Sequence, residues 1–173
     1  MTAVTIRAMT IADIAGVDQI QRQCYTELEP ESVQSLSAKL RASPGSCFIA
    51  ESALGMQGYI IAIPWLQGQV PPLNAADCVL PAEPDCLYLH DLAVAPAARG
   101  SGAATLLVQQ VLAVASNQTV SAVGLVAVQG SVPYWQRYGF AVYPPDRALT
   151  AKLATYGRNI HYMVAVNEHA EKD

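Results

Sequence analysis

The stretch from Cys86 to Val128 constrains the fold more than any other part of the chain. An apolar strand, Cys86–Val94, runs into the turn Arg99-Gly100-Ser101-Gly102, a strong apolar helix over 100–116 follows, and a second apolar strand covers 120–128. Leu106, Leu107, Val111, Leu112 and Val114 give the helix a wide buried face, and the small and β-branched residues after Val120 suit a strand covered on both sides. Strand, helix and strand in this order form a crossover whose strands lie parallel in one sheet. Hydrophobic residues make up 52% of the 173, and this unit accounts for the excess. No apolar run approaches the roughly 18 residues that a membrane-spanning helix needs.

The segments before and after the crossover complete an α/β pattern. Residues 4–8 alternate as an opening strand, and Thr10 with Asp13 three positions later forms a capping-box start for a helix reaching about Tyr25. The acidic break Glu27-Leu28-Glu29-Pro30-Glu31 separates it from a second helix over 32–42. Strands over 47–51 and 57–65, turning through Gly55, predict a hairpin. A proline-rich loop over 67–85 is long enough to serve as a lid. Beyond the crossover, 131–138 predicts a short helix ending at Gly139, 140–143 a strand, 144–159 an ambiguous segment with room for a short helix, and 160–166 a final strand. The polar tail 167–173 is expected to fray. The chain thus predicts a single α/β domain over residues 1–173, with a mixed sheet that is antiparallel early and parallel across the crossover.

Charge narrows the function. Ten Lys and Arg against 14 Asp and Glu give a net charge of −4, which disfavours nucleic-acid binding. From Leu92 to Pro145 there is no carboxylate at all, while Arg99 and Arg137 remain, so this half suits an anionic ligand as well as burial. Cys24, Cys47, Cys78 and Cys86 show no metal-ligand spacing and predict neither a metal site nor a disulfide framework. Residues 1–7 lack the basic and apolar regions of a signal peptide, so a cytoplasmic, membrane-free protein is expected.

The glycine turn is the first chemical motif. Gly100 and Gly102 allow backbone N–H groups to approach a phosphate, the following helix start adds positive partial charge, and Arg99 adds a charge-assisted contact. The same glycines also suit a turn that serves geometry alone. Thr105 stands where a dinucleotide fingerprint wants a third glycine, no carboxylate follows at the required distance, and no lysine completes a Walker loop. What remains, Arg99-x-x-Gly102-x-Ala104 after an apolar strand ending in Val94, resembles the acetyl-CoA motif of the GNAT superfamily of N-acetyltransferases. Tyr134-Trp135-Gln136-Arg137-Tyr138-Gly139-Phe140 is similar to that family's second signature, in the expected order.

The resemblance implies a single-domain GNAT-like α/β fold, with a six- or seven-stranded mixed sheet and about four helices. It implies acetyl-CoA as the acyl donor, with Arg99, Gly100, Ser101, Gly102, Ala103 and Ala104 on its pyrophosphate. Leu92, Ala93 and Val94 would pair with the pantetheine arm as an added strand edge, with Gln129 and Trp135 also on the cofactor side. The strand Tyr88-Leu89-His90-Asp91-Leu92-Ala93-Val94 is similar to that of arylalkylamine N-acetyltransferases, which carry histidines at the positions of Tyr88 and His90. The implied activity is acetyl transfer to a primary amine, by direct attack of the deprotonated nitrogen on the thioester. An alkylammonium needs a base near pH 7 to remove its proton, and the likeness makes His90 that base. The family's tyrosine acid is replaced by Trp135, whose indole cannot donate a proton at useful pH, so Tyr134 and Tyr138 are the nearby substitutes, unless the acid is dispensable and water serves. Glu27 and Glu29 of the acidic break, with Tyr88, fall at the implied acceptor site, where a small amine or a peptide N-terminus would enter. A monomer or homodimer is expected. The alternative is a non-catalytic acyl-CoA-binding or sensor domain.

Overall fold

A computed structural model describes residues 3–26, 29–128 and 130–167. Seven strands form one mixed sheet in the order β1-β2-β3-β4-β5-β7-β6. They are β1 (Thr5–Ala8), β2 (Cys47–Ser52), β3 (Gly55–Trp65), β4 (Cys86–Val94), β5 (Ala122–Ala127), β6 (Ala141–Val142) and β7 (His161–Val166). The helices are α1 (Ile14–Cys24), α2 (Val33–Ala42), α3 (Ala103–Ser116), α4 (Val132–Gln136) and α5 (Arg147–Ala154). The expected α/β fold with a mixed sheet is therefore present, and the ambiguous segment before β7 supplies α5. Among the described residues no helix is long and apolar enough to cross a membrane.

The chain divides into two compact units. The first comprises Met1–Ile63, Pro72–Leu80 and Leu89–Val114. In it β1, β2 and β3 pair antiparallel, with a bulge in β3 at Gln57, opposite Ala50 and Glu51 of β2, and β4 lies beside β3. Ile14, Val17 and Ile20 recur along one face of α1, and Leu36 and Leu40 along one face of α2. They pack on alternate residues of the sheet, Cys47, Ile49, Tyr59, Ile61 and Ala93, which is the period-2 pattern of a covered sheet face. Gly58 brings β3 close to the end of β4: a Cβ there would stand 2.7 Å from the Ala93 carbonyl oxygen.

The second unit comprises Pro64–Pro71, Pro81–Tyr88 and Ala115–Asp173. Here Cys86, Leu87 and Tyr88 of β4 pair parallel with Ala122, Val123 and Gly124 of β5, and β7 pairs antiparallel with both β5 and β6. Asp85 N–H donates to the Trp65 carbonyl (3.1 Å) and Gln67 N–H to the Asp85 carboxylate (2.7 Å), which stitches together the two ends of the proline-rich loop.

Three local expectations are corrected. Helix α3 starts at Ala103 and not at Gly100, because Gly100 and Gly102 take φ of +83° and +87°, outside the helical region. Strand β5 is shorter at both ends than 120–128. Asn167 does not fray: its side-chain amide donates to the Ala115 and Val120 carbonyls at 2.8 and 2.9 Å, and it is buried. Glu27, Gln129 and the tail 168–173 lie outside the described residues.

Because the added methyl of Gly58→Ala meets backbone and not a flexible side-chain end, β4 must shift at Ala93 and Val94. The expected result is a loss of about 1–3 kcal/mol in stability, read by denaturant unfolding. An unchanged midpoint would show that β3 and β4 are not packed this closely.

Candidate functional site

The turn between β4 and α3 is a cradle of backbone donors. Ala95–Ala98 close on themselves, Arg99 N–H donates to Pro96 O and Ser101 N–H to Ala98 O (3.1 Å), and Ala103 N–H reaches the Ser101 hydroxyl. Gly100 and Gly102 hold the turn in the left-handed region, φ +83° and +87°, between these bonds. Neither glycine has a heavy atom within 4 Å of where a Cβ would stand, so the surface over the turn is open. Arg99 is exposed beside it. The first turn of α3 adds the unpaired N–H groups common to helix starts.

Taken within the first unit, β4 from Leu89 to Val94 is the edge of the sheet. The Ala93 carbonyl lies against Gly58 on β3, so by alternation Leu92 and Val94 turn their carbonyls to the open side. There Leu92 O accepts from the Tyr25 hydroxyl (2.9 Å) and Val94 O from the Cys24 thiol (3.2 Å). Each carbonyl keeps a second lone pair for an incoming donor.

The centre of β4 joins a buried cluster of charged groups. His90 Nε2 lies 2.9 Å from one carboxylate oxygen of Glu31. The other oxygen accepts from the Lys39 ammonium and from the Ser35 hydroxyl (2.7 Å), and Lys39 also donates to Ser35 Oγ (2.9 Å). The side chains of His90, Lys39 and Glu31 are only 6%, 3% and 11% exposed. Burial disfavours the Glu31 carboxylate, but hydrogen bonds and charges from His90 and Lys39 outweigh it and hold Glu31 well below the usual carboxylate range. The Glu31 backbone is fixed as well: the buried Gln21 side chain of α1 donates to Glu31 O (2.6 Å) and accepts from Glu31 N–H (3.2 Å). Ser32 then caps α2, accepting from Ser35 N–H at 3.1 Å, while its own N–H donates to Asn74.

Asp91, one residue on, points the other way into the α1 side. Its oxygens accept from Tyr59 (2.6 Å) and Tyr25 (2.9 Å). Burial raises the pKa of Asp91, although His90 and the two hydroxyls act in the opposite direction. The phenols of Tyr25 and Tyr59, themselves buried and next to this carboxylate, are pushed far up.

The remaining aromatic candidates belong to the second unit. Tyr88 is buried near Tyr156, Tyr162 and Cys86, and burial raises its phenol well above the ordinary value. Tyr134 and Tyr138 face each other one helical turn apart, hydroxyl to hydroxyl at 3.3 Å. Burial, then the bond to Tyr138, raises the Tyr134 phenol, while the Arg137 guanidinium over its ring pulls the other way. Trp135 is 9% exposed and packs edge-on against Tyr134 (5.0 Å between centroids) and Phe140 (5.7 Å). Among the described residues no three His, Cys, Asp or Glu side chains converge as metal ligands.

A sequence profile described as the acetyltransferase (GNAT) family matches residues 14–140. The chain belongs to that family. GNAT-like solved structures share the fold across nearly the whole chain. Ard1 from Thermoplasma volcanium matches with TM-score 0.70 and 17% identity, covering 95% of this chain and 97% of that one. The loading GNATL domain of CurA from Lyngbya majuscula matches with TM-score 0.76 and 12% identity, covering 96% and 99%. The GphF GNAT-like decarboxylase in complex with isobutyryl-CoA matches with TM-score 0.71 and 17% identity, covering 95% and 100%. At such identities the likeness is one of fold. No curated protein sequence matches the chain. Family and fold are those of acetyl-CoA-dependent acyltransferases.

Within the first unit of this GNAT fold, the structure joins His90, the β4 edge and the glycine turn on one continuous segment. Of the acidic break, Glu29 is exposed, whereas Glu31, absent from the residues expected at the acceptor site, is the one carried inward. One signal for it stood in the sequence: Leu36, Lys39 and Leu40 share a helical face, which puts a lysine in an apolar stripe, and a lysine is rarely buried without a partner.

Glu31 contributes stability wherever it is ionised in both states. Since folding lowers its pKa, that contribution is present above the unfolded value of about 4.3 and is lost as pH falls below it. Glu31→Gln is expected to cost about 3 kcal/mol near neutral pH. Unfolding titrations should show this difference shrinking steadily as pH drops below about 4. A difference that is independent of pH would remove the ion pair as its cause.

Proposed function

We propose that residues 1–173 act as one acetyl-CoA-binding domain that transfers the acetyl group to a primary amine, in the manner of arylalkylamine N-acetyltransferases. The observation that carries this reading is the buried His90–Glu31–Lys39 cluster, whose histidine lies on the β4 edge that leads into the glycine turn. An imidazole held by a carboxylate next to the strand expected to receive the thioester supports a proton acceptor at the reacting centre.

The turn residues Arg99, Gly100, Ser101, Gly102, Ala103 and Ala104 fit a pyrophosphate: they offer backbone donors, an open surface and a nearby cation, with no carboxylate between Leu92 and Pro145 to repel it. The carbonyls of Leu92 and Val94 fit the amide groups of a pantetheine arm. Bound there, acetyl-CoA supplies the acyl carbon. The amine loses its proton to His90, its lone pair attacks that carbon, and the carbon–sulfur bond breaks. The acylated nitrogen gives up its remaining excess proton to solvent, the thiolate so released takes a proton from Tyr134 or Tyr138, or from water, and exchange with solvent restores His90 and the tyrosine. Burial keeps the Tyr134 phenol protonated and also makes it a weaker acid toward a thiolate, which weighs on the side of water. The second reading, a non-catalytic acyl-CoA sensor, is favoured by Trp135, an indole where many relatives of this fold place a tyrosine.

Acetyl-CoA is expected to raise the melting temperature, and mixing it with a panel of primary amines to release free thiol. Stabilisation without thiol release would select the sensor reading. His90→Ala should lower kcat/KM by about 100-fold and remove the acidic limb of its pH profile; an unaltered limb rules His90 out as the base. Comparing Tyr134→Phe with Tyr138→Phe separates the acids. The variant that loses kcat identifies the donor, and two unaffected variants assign the proton to water.

A further inference from the structure

We propose that Glu31 and Lys39 act together as positioning residues that set the protonation state of His90, Lys39 supplying the charge that lets the imidazole stay neutral while bonded to a buried carboxylate. An imidazole bonded to a lone buried carboxylate is drawn toward the cationic form, and a cationic imidazole has no lone pair left to take an amine proton. Here the carboxylate is shared. One oxygen faces His90 Nε2, and the other is met by the Lys39 ammonium and the Ser35 hydroxyl. The charge of Glu31 is thereby matched by that of Lys39 before His90 takes any proton. Glu31 remains a hydrogen-bond acceptor that orients the ring, without forcing a charge onto it.

Three features indicate that the arrangement is built and not incidental. Lys39 is 3% exposed, although taking an ammonium out of water is costly unless a partner compensates it. Glu31 is held from its backbone by both polar atoms of the buried Gln21 amide. Ser35 bridges Glu31 and Lys39 one helical turn apart, so the lysine cannot swing away without losing two bonds. Groups facing His90 include Glu31 from the segment before α2 and, through space from the next position on β4, Asp91, while Lys39 and Ser35 of α2 meet the far oxygen of Glu31. The Asp91 carboxylate is itself engaged by Tyr25 and Tyr59.

The mechanism rests on the acetyl-transfer reading only for its kinetic consequence; the coupling itself is measurable without substrate. Proton–carbon NMR titration of the His90 imidazole in the full chain reads it directly, with His90→Ala assigning the signal. Lys39→Met should move the midpoint up by about one pH unit, and Glu31→Gln should move it down by a similar amount. The double variant, in which both charges are gone, should return to within a few tenths of a unit of wild type. Should Lys39→Met fail to fold, Glu31→Gln and the double variant still carry the test, since the latter replaces an ion pair by uncharged groups of similar volume. Midpoints that stay put, or that move in the same direction in both single variants, overturn the proposal. The acidic limb of kcat/KM for acetyl transfer should follow the NMR midpoints in the same order. Midpoints that move while the limb does not would uphold the coupling and remove His90 from the chemistry, which separates the failure of the functional reading from the failure of this one.

Discussion

A carboxylate taken out of water must be met by cations and donors, and in this protein the carboxylate of Glu31 is met by both. The consequences reach three elements of the first unit. Gln21 ties the end of α1 to the Glu31 backbone, Ser35 and Lys39 tie the first two turns of α2 to its side chain, and His90 ties in the centre of β4. Apolar packing between α1, α2 and the sheet would be satisfied by many small rotations of these helices. The carboxylate tolerates few of them, because each lost bond leaves a buried charge short of a partner. A cluster that costs desolvation free energy in a domain with ample apolar core is better explained by what it does to His90 than by stability alone.

Beside this cluster the chain arranges its polarity along one segment. Strand β4 carries His90 and Asp91 on opposite faces, then an edge whose Leu92 and Val94 carbonyls are already in use as acceptors, then a turn in which donors prevail. Acceptors for amides followed by donors for phosphates is the order that an extended arm ending in a pyrophosphate requires. The absence of carboxylates from Leu92 to Pro145 extends that preference beyond the turn.

Much of the fold was legible because local rules and tertiary needs agree in it. Apolar periods marked α1, α2, α3 and most strands, and the glycines marked the turn. Elsewhere no local rule decides. The start of α3 depended on the φ of Gly100 and Gly102, which an amino-acid name permits without requiring. Asn167 reads as the start of a polar tail and is instead held by carbonyls at the end of α3 and before β5, partners far away in sequence. The candidate site was legible in part. His90 and the turn stand on a segment whose spacing reveals them, whereas Glu31 looked like one of several acids in a solvated break.

By itself the sequence determined the α/β class, the crossover, the donor-rich turn and the histidine before it, because each follows from contacts between near neighbours along the chain. Only the tertiary structure decided which acid meets that histidine. Glu31 and His90 are brought within 2.9 Å across 59 positions by the packing of α1 and α2 on the sheet. Which of Glu29 and Glu31 faces inward turns on the phase at which the chain enters α2, two residues beyond Glu31. The burial of Leu36 and Leu40, which carries Lys39 inward with them, fixes that phase.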